Sequence, residues 1–374
     1  MKILSVFGTR PEAIKMAPIV RELKSRTRNK ELRSVVCVSA QHRQMLDQVL
    51  TLFEIRPDYD LNIMQNNQSL SQVTANALTR LDNVIENERP DWVLVQGDTT
   101  TAMVAALVAF YHRIKVGHVE AGLRTWDKFR PFPEEINRKI ADSLCDMHFA
   151  PTETARRNLL REGINDQSIR VTGNTVIDAL QWVAALLETR MPEVGGLDLI
   201  DIEKSNSKLI LVTAHRRENF GTPFEHIFSA LGEIARRYGR QVHIVYPVHL
   251  NPNVQEPAIR LLSQIPNVTL LAPLDYFQFV HIMKRAYLVV TDSGGIQEEA
   301  PGLGKPVLVL RETTERPEAV EAGTVKLIGT EQNRIVTEIS QLLENQHEYE
   351  QMARAVNPYG DGHAAERIVD VLLA

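Results

Sequence analysis

The feature that most limits the fold of this chain is an alternation of short β-branched strands with longer helix-compatible segments. The alternation runs from residue 2 to about residue 150 and starts again at residue 209 of the 374 residues. Strands separated by helices pair in parallel through right-handed crossovers, with helices on both faces of the sheet. The sequence therefore predicts the α/β class, with two doubly wound Rossmann-like domains that face each other across a cleft.

The predicted strands define the domain bounds. In the first series they cover residues 2–7, 34–38, 92–95 and 115–119, and residues 169–172 mark the crossing into the second domain. In the second series they cover residues 209–213, 243–246, 268–271, 287–291 and 307–310. The tail from residue 361 is predicted to form a helix that packs back on the first domain. We therefore assign residues 1–173 plus 362–374 to the first domain and 174–361 to the second.

Charge and cysteine content limit the partners and the compartment. The formal net charge is -5, and no basic cluster suggests a nucleic-acid partner. Cys37 and Cys145 are isolated in the sequence and need not pair, which suits a reducing cytosol. The longest apolar runs fall short of the about 20 residues that span a bilayer. We expect a cytoplasmic protein with no membrane contact.

A glycine-containing turn in the second series has the composition of an anion site. Residues 292–299 read Asp-Ser-Gly-Gly-Ile-Gln-Glu-Glu and join a predicted strand to a helix. Glycines at a helix start let a ligand approach closely, and several backbone N–H groups converge there on an anion. Glu298 and Glu299 fall in the first turns, where one of them is placed to face a ribose. Two interpretations stay open: a diphosphate site for a sugar nucleotide, or an ordinary strand-to-helix turn.

Charged residues also follow other predicted strands, at the edge where open α/β sheets bind ligands. Thr9 and Glu12 have the spacing of a capping box, which places Arg10 at the positive end of a helix, with Lys15 nearby. These cations either face an anion or are solvated surface charges. Asp98 is either the N-cap of the helix that follows or a carboxylate that faces a ligand.

Further candidates lie at strand ends and in the loops that follow them. Glu120 follows the strand 115–119, and Glu134 and Arg138 share a helix face with Asp142 by their four-residue spacing. Such a row is usually solvated, but here it follows an aromatic, arginine-containing loop, which favours Glu134 and Arg138 as ligand-facing residues.

In the second series, two basic positions suit phosphate. His215 ends a strand and is followed by two arginines, which favours phosphate binding over a structural role. Arg316, in the polar loop 311–317, is placed to reach the same anion as the glycine-containing turn.

Motifs for cofactors and metals are absent from the sequence. It contains no G-x-G-x-x-G fingerprint, no His-Glu-x-x-His, no paired Cys-x-x-Cys and no P-loop. Asp58-Tyr59-Asp60 resembles the Asp-x-Asp metal site of some sugar-nucleotide enzymes, but it follows Pro57 in a predicted loop without other ligands. We therefore expect no metal and no cofactor.

Long motifs in order carry a resemblance to a known family. They are Phe-Gly-Thr-Arg-Pro-Glu-Ala-Ile-Lys (7–15), Gly-Asp-Thr-Thr-Thr (97–101), Gly-His-Val-Glu-Ala-Gly-Leu-Arg-Thr (117–125), Pro-Glu-Glu-Ile-Asn-Arg (133–138), His-Arg-Arg-Glu-Asn (215–219), Asp-Ser-Gly-Gly-Ile-Gln-Glu-Glu-Ala-Pro (292–301), Arg-Glu-Thr-Thr-Glu-Arg-Pro-Glu (311–318) and Asn-Pro-Tyr-Gly-Asp-Gly (357–362). Together they resemble the non-hydrolysing bacterial UDP-N-acetylglucosamine 2-epimerases nearly end to end. The resemblance implies the glycosyltransferase GT-B type of fold, a homodimer, and interconversion of UDP-GlcNAc with UDP-ManNAc for cell-surface polysaccharide, without metal or nicotinamide.

The resemblance also implies roles for single residues. Catalytic roles fall on Asp98, Glu120, Glu134 and His215. Substrate-binding roles fall on Arg10, Lys15, the segment from Leu274 to Phe279 around the uracil, Ser293, Gly294, Gly295, Glu299 on the ribose and Arg316 on phosphate, and the helix-face argument adds Arg138. Bacterial members are often activated by a second UDP-GlcNAc, whose site would use Gln41, Gln44, Arg216 and His249. This chain has Asn67 where some regulated members have an arginine, so activation stays open.

The expected chemistry is elimination followed by re-addition. No carbonyl adjoins C2 of the sugar, but departure of UDP from C1 makes the C2 proton acidic enough for a weak base, which gives 2-acetamidoglucal. Inversion then needs proton delivery on both faces. A carboxylate committed to capping a helix is a poor general base, so we leave open which of Asp98, Glu120 and Glu134 serves each face. The alternatives are a hydrolysing epimerase that releases ManNAc, a GT-B glycosyltransferase, and a non-catalytic sensor of nucleotide sugars.

Overall fold

The computed structural model describes residues 1–27, 32–39, 43–64 and 68–374. The chain forms two compact units, Met1–Ala179 with Tyr359–Ala374, and Leu180–Pro358. The sequence analysis placed the crossings at residues 174 and 362, whereas the units change at Leu180 and Tyr359. The first crossing lies inside a continuous helix, Thr175–Leu186, and a helix interior carries no turn signal that would mark a boundary.

The first unit is built on a fully parallel sheet. Within the described residues the sheet has seven strands in the order β3-β2-β1-β4-β5-β6-β7. The strands are β1 (Lys2–Phe7), β2 (Arg33–Val38), β3 (Tyr59–Asp60), β4 (Trp92–Gln96), β5 (Lys115–Val119), β6 (Met147–Ala150) and β7 (Ile169–Val171). The helices of this part are α1 (Arg10–Arg26), α2 (Arg43–Leu52), α3 (Leu70–Glu88), α4 (Thr100–Tyr111), α5 (Glu134–Leu144), α6 (Glu153–Arg161) and α7 (Thr175–Leu186).

The second unit repeats the plan. Within the described residues its parallel sheet has six strands in the order β10-β9-β8-β11-β12-β13. The strands are β8 (Lys208–Thr213), β9 (Val242–Pro247), β10 (Val268–Leu271), β11 (Leu288–Thr291), β12 (Val307–Val309) and β13 (Val325–Leu327). The helices are α8 (Leu199–Lys204), α9 (Thr222–Tyr238), α10 (Pro252–Leu262), α11 (Tyr276–Arg285), α12 (Gly294–Gly302), α13 (Pro317–Glu321), α14 (Gln332–Glu344) and α15 (Gln346–Ala353).

The last helix returns to the first unit, as the sequence predicts. Helix α16 (Ala364–Leu373) packs against α1, and the guanidinium of Arg26 lies 2.5 Å from the carboxylate of Asp370. The apolar residues of its buried face include Ile368 and Leu372, which are almost fully excluded from solvent. Burial of such side chains stabilises the contact by about 1.5–3 kcal/mol each. No helix in the described ranges is both long and apolar enough to cross a bilayer.

The prediction of two parallel, doubly wound sheets is confirmed, while three short edge or near-edge strands, β3, β6 and β13, were not predicted. Strand β3 overlaps the Asp58-Tyr59-Asp60 motif, which the sequence analysis placed in a loop. There Asp58 accepts the backbone N–H of Val36 at 2.8 Å, and Asp60 lies 2.6 Å from the guanidinium of Arg43. A strand of two residues shows no periodicity, so only its pairing with β2 reveals it.

Candidate functional site

The turn between β1 and α1 is fixed by the predicted capping box. Thr9 is the N-cap, and the Glu12 carboxylate accepts the backbone N–H groups of Gly8 at 3.0 Å and Thr9 at 2.7 Å. Its other oxygen accepts the hydroxyl of Thr99 at 2.7 Å. Burial raises the pKa of Glu12 above its usual value, although these hydrogen bonds oppose the effect. The turn that precedes Arg10 is therefore tied to the start of α4.

Glu120 lies at the carboxyl end of β5 and is buried. Its two oxygens lie 2.5 and 2.7 Å from the ammonium nitrogen of Lys15. The amides of Gln96 and Asn174 also donate to it, the latter at 3.1 Å. Its backbone has a φ of 65°, which non-glycine residues adopt mainly where surrounding contacts enforce it. The predicted substrate cation Lys15 and the predicted catalytic acid Glu120 thus form one ion pair.

The structure contradicts one of the two interpretations that the sequence left open for Asp98. The N-cap of α4 is Thr99, whose hydroxyl oxygen accepts the backbone N–H of Ala102 at 3.1 Å. The N-cap interpretation of Asp98 is therefore wrong: the helix starts one residue later, after a left-handed turn at Gly97, whose φ is 71°. The Asp98 carboxylate instead accepts the guanidinium of Arg138. The objection that a capping residue makes a poor base no longer applies to it.

Helix α5 brings Glu134 and Arg138 to this group. Arg138 is buried, and its Nη1 atom lies 3.2 Å from Glu135, which also accepts the backbone N–H groups of Thr125 and Trp126. The alternative of a solvated salt-bridge row is excluded for Arg138 and for the equally buried Asp142. Glu134 is the first residue of α5 and is half-buried, and its carboxylate makes no hydrogen bond or ion pair with the residues that the structure describes.

Asp292 stabilises the glycine-containing turn of the second unit. This fully buried carboxylate accepts the backbone N–H groups of His215 and Arg216, each at 2.8 Å, and the side-chain amide of Asn219 at 3.1 Å. The ends of β8 and β11 are thereby joined. Ser293 occupies the N-cap of α12, but its hydroxyl makes no capping hydrogen bond. The first N–H groups of α12 therefore lack the usual side-chain acceptor from the N-cap.

Arg316 lies against this helix start. A Cβ atom placed on Gly294 would be 3.1 Å from both the Cζ and the Nη1 atoms of Arg316. The guanidinium is oriented by Glu298, whose Oε1 atom accepts its Nε–H at 2.8 Å. A cation beside the positive end of a helix is unfavourable unless an anion is near. The structure thus brings the predicted phosphate ligand Arg316 to the predicted anion turn.

Glu315 is the anion that compensates this region in the structure. Its oxygens lie 3.0 Å from Arg216, 2.6 Å from Arg311 and 3.2 Å from Arg316. Burial by itself would raise the pKa of Glu315, but the three arginines outweigh it and lower that pKa to about 2. The sequence analysis gave Glu315 no role, although it lies in the quoted motif 311–318 with Arg311 and Arg316, because its third partner, Arg216, is 99 residues away in the sequence.

His215 and His249 stack with their ring centroids 5.6 Å apart and their planes 17° from parallel. The His215 side chain is 44% exposed. Burial lowers the pKa of His215, Asp292 opposes this, and His249 and Arg216 add to the lowering. Arg216 and His249, predicted to bind an activator, therefore adjoin a predicted catalytic residue. Gln41, Asn67 and the side chain of Gln44 lie outside the described residues.

The predicted ribose and uracil residues are in contact. The hydroxyl of Tyr276 donates to the carboxylate of Glu299 at 2.8 Å, and Tyr276 lies in the segment from Leu274 to Phe279. Both Tyr276 and Glu299 are buried, while Leu274 and Phe279 are half-buried. In the described part of the chain, no group of three or more His, Cys, Asp and Glu side chains is arranged to hold a metal ion.

Two parallel doubly wound sheets, one in each unit, define an α/β protein of two Rossmann-like domains. The family model described as UDP-N-acetylglucosamine 2-epimerase matches residues 24–373. The chain is 57% identical over 373 residues to the UDP-N-acetylglucosamine 2-epimerase of Salmonella typhimurium, covering 100% of this chain and 98% of the relative. This chain belongs to the UDP-N-acetylglucosamine 2-epimerase family, as its motifs predicted.

Solved structures agree with this assignment. The crystal structure of the UDP-GlcNAc 2-epimerase from Neisseria meningitidis, bound to UDP-GlcNAc, is 51% identical with a TM-score of 0.88 and full coverage of both chains, 100% each. The enzyme from Methanocaldococcus jannaschii, in complex with UDP-GlcNAc and UDP, is 33% identical with a TM-score of 0.80, covering 100% of this chain and 99% of the other. The predicted GT-B-like fold class is confirmed by these similarities.

Proposed function

We propose that this protein interconverts UDP-GlcNAc and UDP-ManNAc by non-hydrolysing epimerisation at C2. Membership of the family supports an epimerase. The observation that carries the elimination route is the placement of the Arg316 guanidinium, 3.1 Å from the position of a Cβ on Gly294, at the start of α12. This arrangement suits a diphosphate that must leave the sugar with an additional negative charge.

In this proposal the second unit holds the nucleotide. The diphosphate accepts the N–H groups at Gly294 and Gly295 and the hydroxyl of Ser293, which makes no capping hydrogen bond, with Arg316 and His215 as cationic partners. Glu299, oriented by the Tyr276 hydroxyl at 2.8 Å, accepts the ribose hydroxyls, and the segment from Leu274 to Phe279 contacts the uracil. Preorganised donors of this kind stabilise the developing charge of a leaving group without reorganisation during the reaction.

The first unit supplies the proton-transfer groups. A carboxylate takes the C2 proton, the C–H electron pair forms the C1–C2 double bond, and the C1–O electron pair leaves with UDP. The product is 2-acetamidoglucal. The UDP oxygen then adds back to C1 while an acid delivers a proton to the opposite face of C2, so that atoms and charges balance.

The contacts of the three acids differ in a way that bears on these steps. Asp98 is paired with Arg138, and Glu120 with Lys15, whereas Glu134 makes no hydrogen bond or ion pair in the described part of the chain. Glu134 can therefore exchange a proton without breaking an ion pair. We assign Lys15, Arg138 and Arg10 to substrate binding, with the pairs to Asp98 and Glu120 keeping those carboxylates oriented.

The proposal extends to assembly, regulation and compartment. We propose a cytoplasmic homodimer that needs no metal and no cofactor. The proximity of Arg216 and His249 to His215, with the histidine rings 5.6 Å apart, supports a second UDP-GlcNAc as activator beside the substrate. Activation would appear as a sigmoidal dependence of rate on UDP-GlcNAc, and a hyperbolic dependence would contradict it.

The deciding experiment incubates the protein with UDP-GlcNAc in deuterated water and follows the sugar by NMR. Deuterium at C2 together with accumulating UDP-ManNAc supports the proposal. Free ManNAc with UDP would select a hydrolysing epimerase. Transfer that occurs only with an added acceptor would select a glycosyltransferase, and an unchanged sugar would select a sensor.

A further inference from the structure

His118, which has no role in the proposed function, is buried near the carboxyl end of β5. Its Nδ1 atom lies 2.5 Å from Oδ1 of Asp142, and its Nε2 atom lies 2.7 Å from the carbonyl oxygen of Gly97. A carbonyl and a carboxylate both accept hydrogen bonds, so both ring nitrogens must donate. With Asp142 ionised, the short contact to its carboxylate and the contact to Gly97 together favour the imidazolium form of His118.

The surrounding charges fit this protonation state. Asp142 also lies 2.6 Å from Nη2 of Arg124, which in turn lies 2.5 Å from Glu162. The carboxylates of Asp142 and Glu162 are thus paired with His118, with Arg124 and with Lys139, which lies 3.4 Å from Glu162. The side chains of His118, Arg124 and Asp142 are almost fully excluded from solvent. Buried charges persist only when they are paired in this way.

The pKa shifts agree with the geometry. Burial by itself would lower the pKa of His118, but Asp142 and the hydrogen bond to Gly97 raise it above the usual value, with Arg124 opposing. The pKa of Asp142 falls to about 2, since His118, Arg124 and His148 outweigh its burial. The described charged groups that act on this pair are therefore Arg124, His148 and, through Arg124, Glu162.

The contacts of His118 reach every segment that carries a proposed acid. Glu120 follows two residues later, directly after the end of the same strand. The carbonyl of Gly97, which His118 holds, immediately precedes Asp98. Asp142 belongs to α5, the helix that begins at Glu134. One imidazolium therefore links the strand, the loop and the helix from which all three carboxylates project.

We propose that His118, as an imidazolium, is a positioning residue that fixes the relative placement of Asp98, Glu120 and Glu134. This inference rests on the proposed function, in which His118 has no role. His118 is buried beneath these segments and touches no substrate in this scheme. Its loss removes a side-chain donor to the carbonyl oxygen of Gly97, a residue whose left-handed backbone gives the loop little rigidity of its own. Misplacement of a reacting group by about 1 Å costs on the order of 100-fold in rate.

The test compares His118→Gln with His148→Gln. His148 lies opposite His118 on the neighbouring strand and is equally buried, but among the described residues its ring nitrogens contact backbone carbonyl oxygens, those of Asp142 and Ser168, and no carboxylate. We expect kcat to fall on the order of 100-fold in His118→Gln and by less than about threefold in His148→Gln. The dissociation constant for UDP should be unchanged in both, because nucleotide binding belongs to the second unit.

A comparison of single and double variants distinguishes a positioning role of His118 from general destabilisation of the protein. Asp142→Asn should lower kcat as much as His118→Gln does, and the double variant should be no slower than either single one, as expected for residues that act as a unit. Additive losses, or equal kcat values for His118→Gln and His148→Gln, would overturn the inference while the proposed function stands. A wild-type protein that introduces no deuterium at C2 would instead overturn the proposed function.

A second measurement applies even if His118→Gln does not fold. Protein labelled with 15N-histidine should show, for one buried ring, two slowly exchanging N–H protons and imidazolium nitrogen shifts that persist above the usual histidine pKa of about 6.5. The His148→Gln spectrum should retain these signals. If only one ring N–H proton remains once the His148 signals are removed, the imidazolium assignment is wrong.

Discussion

The Nδ1 atom of His215 lies 3.7 Å from the Oδ1 atom of Asp292, a separation at which charges attract but no hydrogen bond forms. The Oδ2 atom of Asp292 accepts three N–H groups, whereas Oδ1 is buried and has no hydrogen-bond partner among the described residues. An unsatisfied buried acceptor is costly, and a positive charge on the nearby His215 ring would offset part of that cost by electrostatic attraction. Asp292 is thus placed to stabilise a positive charge on His215.

This relationship predicts that UDP-GlcNAc binding takes up a proton. Because the pKa of His215 is lowered in the free protein, its ring is largely neutral near neutral pH. A bound diphosphate favours the imidazolium and raises that pKa. Affinity should therefore increase as the pH falls from the bound-state pKa to the free-state pKa, and should level off outside that interval. UDP-GlcNAc suits this test because its diphosphate, esterified at both ends, does not titrate there.

Calorimetry in buffers of different ionisation enthalpy measures the uptake directly. His215→Gln should abolish the uptake. His243→Gln is a matched control, since burial also lowers the pKa of His243 but its ring contacts Thr269 on a neighbouring strand. Equal proton uptake in wild type and His215→Gln would exclude this role for His215.

The strands and turns were predictable because their signals are local. Lys2–Phe7, Lys115–Val119 and Val268–Leu271 have the predicted bounds, and the box formed by Thr9 and Glu12 closes as its spacing indicates. The prediction of Asp98 as the N-cap is wrong because the helix starts one residue later, after the left-handed turn at Gly97. A turn conformation of that kind is not determined by residue type.

The contacts of buried charges were not predictable for a different reason. His118 meets partners that are 24 and 21 residues away, and Arg216 meets Glu315 across 99 residues. Such pairs depend on strand order, which brings β4, β5 and α5 together only once the sheet has formed. A histidine within an apolar strand signals that a buried partner exists, but the sequence alone does not name it.

Gly294→Ala should weaken UDP binding. The added Cβ would lie 3.1 Å from the guanidinium of Arg316, so that side chain must move away from the helix start. Overpacking of this kind costs about 1–3 kcal/mol, and we expect a roughly 5- to 150-fold increase in the dissociation constant. Gly195→Ala is the control, because a Cβ there meets no atom within 4 Å and its backbone is not left-handed. Unchanged UDP affinity in Gly294→Ala would show that Arg316 does not bind the diphosphate.

Glu315→Gln should strengthen UDP binding. In the free protein the Glu315 carboxylate neutralises Arg216, Arg311 and Arg316, and its pKa of about 2 keeps it charged at all ordinary pH values. Removal of this charge increases the positive electrostatic potential that the three arginines present to a diphosphate. A gain of about 1 kcal/mol corresponds to roughly fivefold tighter binding.

The control for this change is Glu312→Gln, in the same loop. Its carboxylate is 72% exposed and lies 3.9 Å from Arg334, so UDP affinity should not change. Weaker binding by Glu315→Gln would mean that Glu315 mainly holds Arg316 in place, and the electrostatic argument would then be rejected.

Glu134→Gln should slow proton transfer at C2 without changing UDP binding or stability. The carboxylate makes no hydrogen bond or ion pair with any residue in the described ranges, so the amide should leave the unfolding temperature and the UDP affinity unchanged. If Glu134 transfers a proton at C2, deuterium incorporation into UDP-GlcNAc should slow by roughly 100- to 10,000-fold, the usual contribution of a general acid or base.

Glu135→Gln is the contrasting variant. That buried carboxylate accepts two backbone N–H groups and the guanidinium of Arg138, so its loss should lower the unfolding temperature. A Glu134→Gln protein that exchanges deuterium at the wild-type rate would leave Asp98 and Glu120 as the only proposed acids, and both faces of C2 would then have to be served by carboxylates that are already ion-paired.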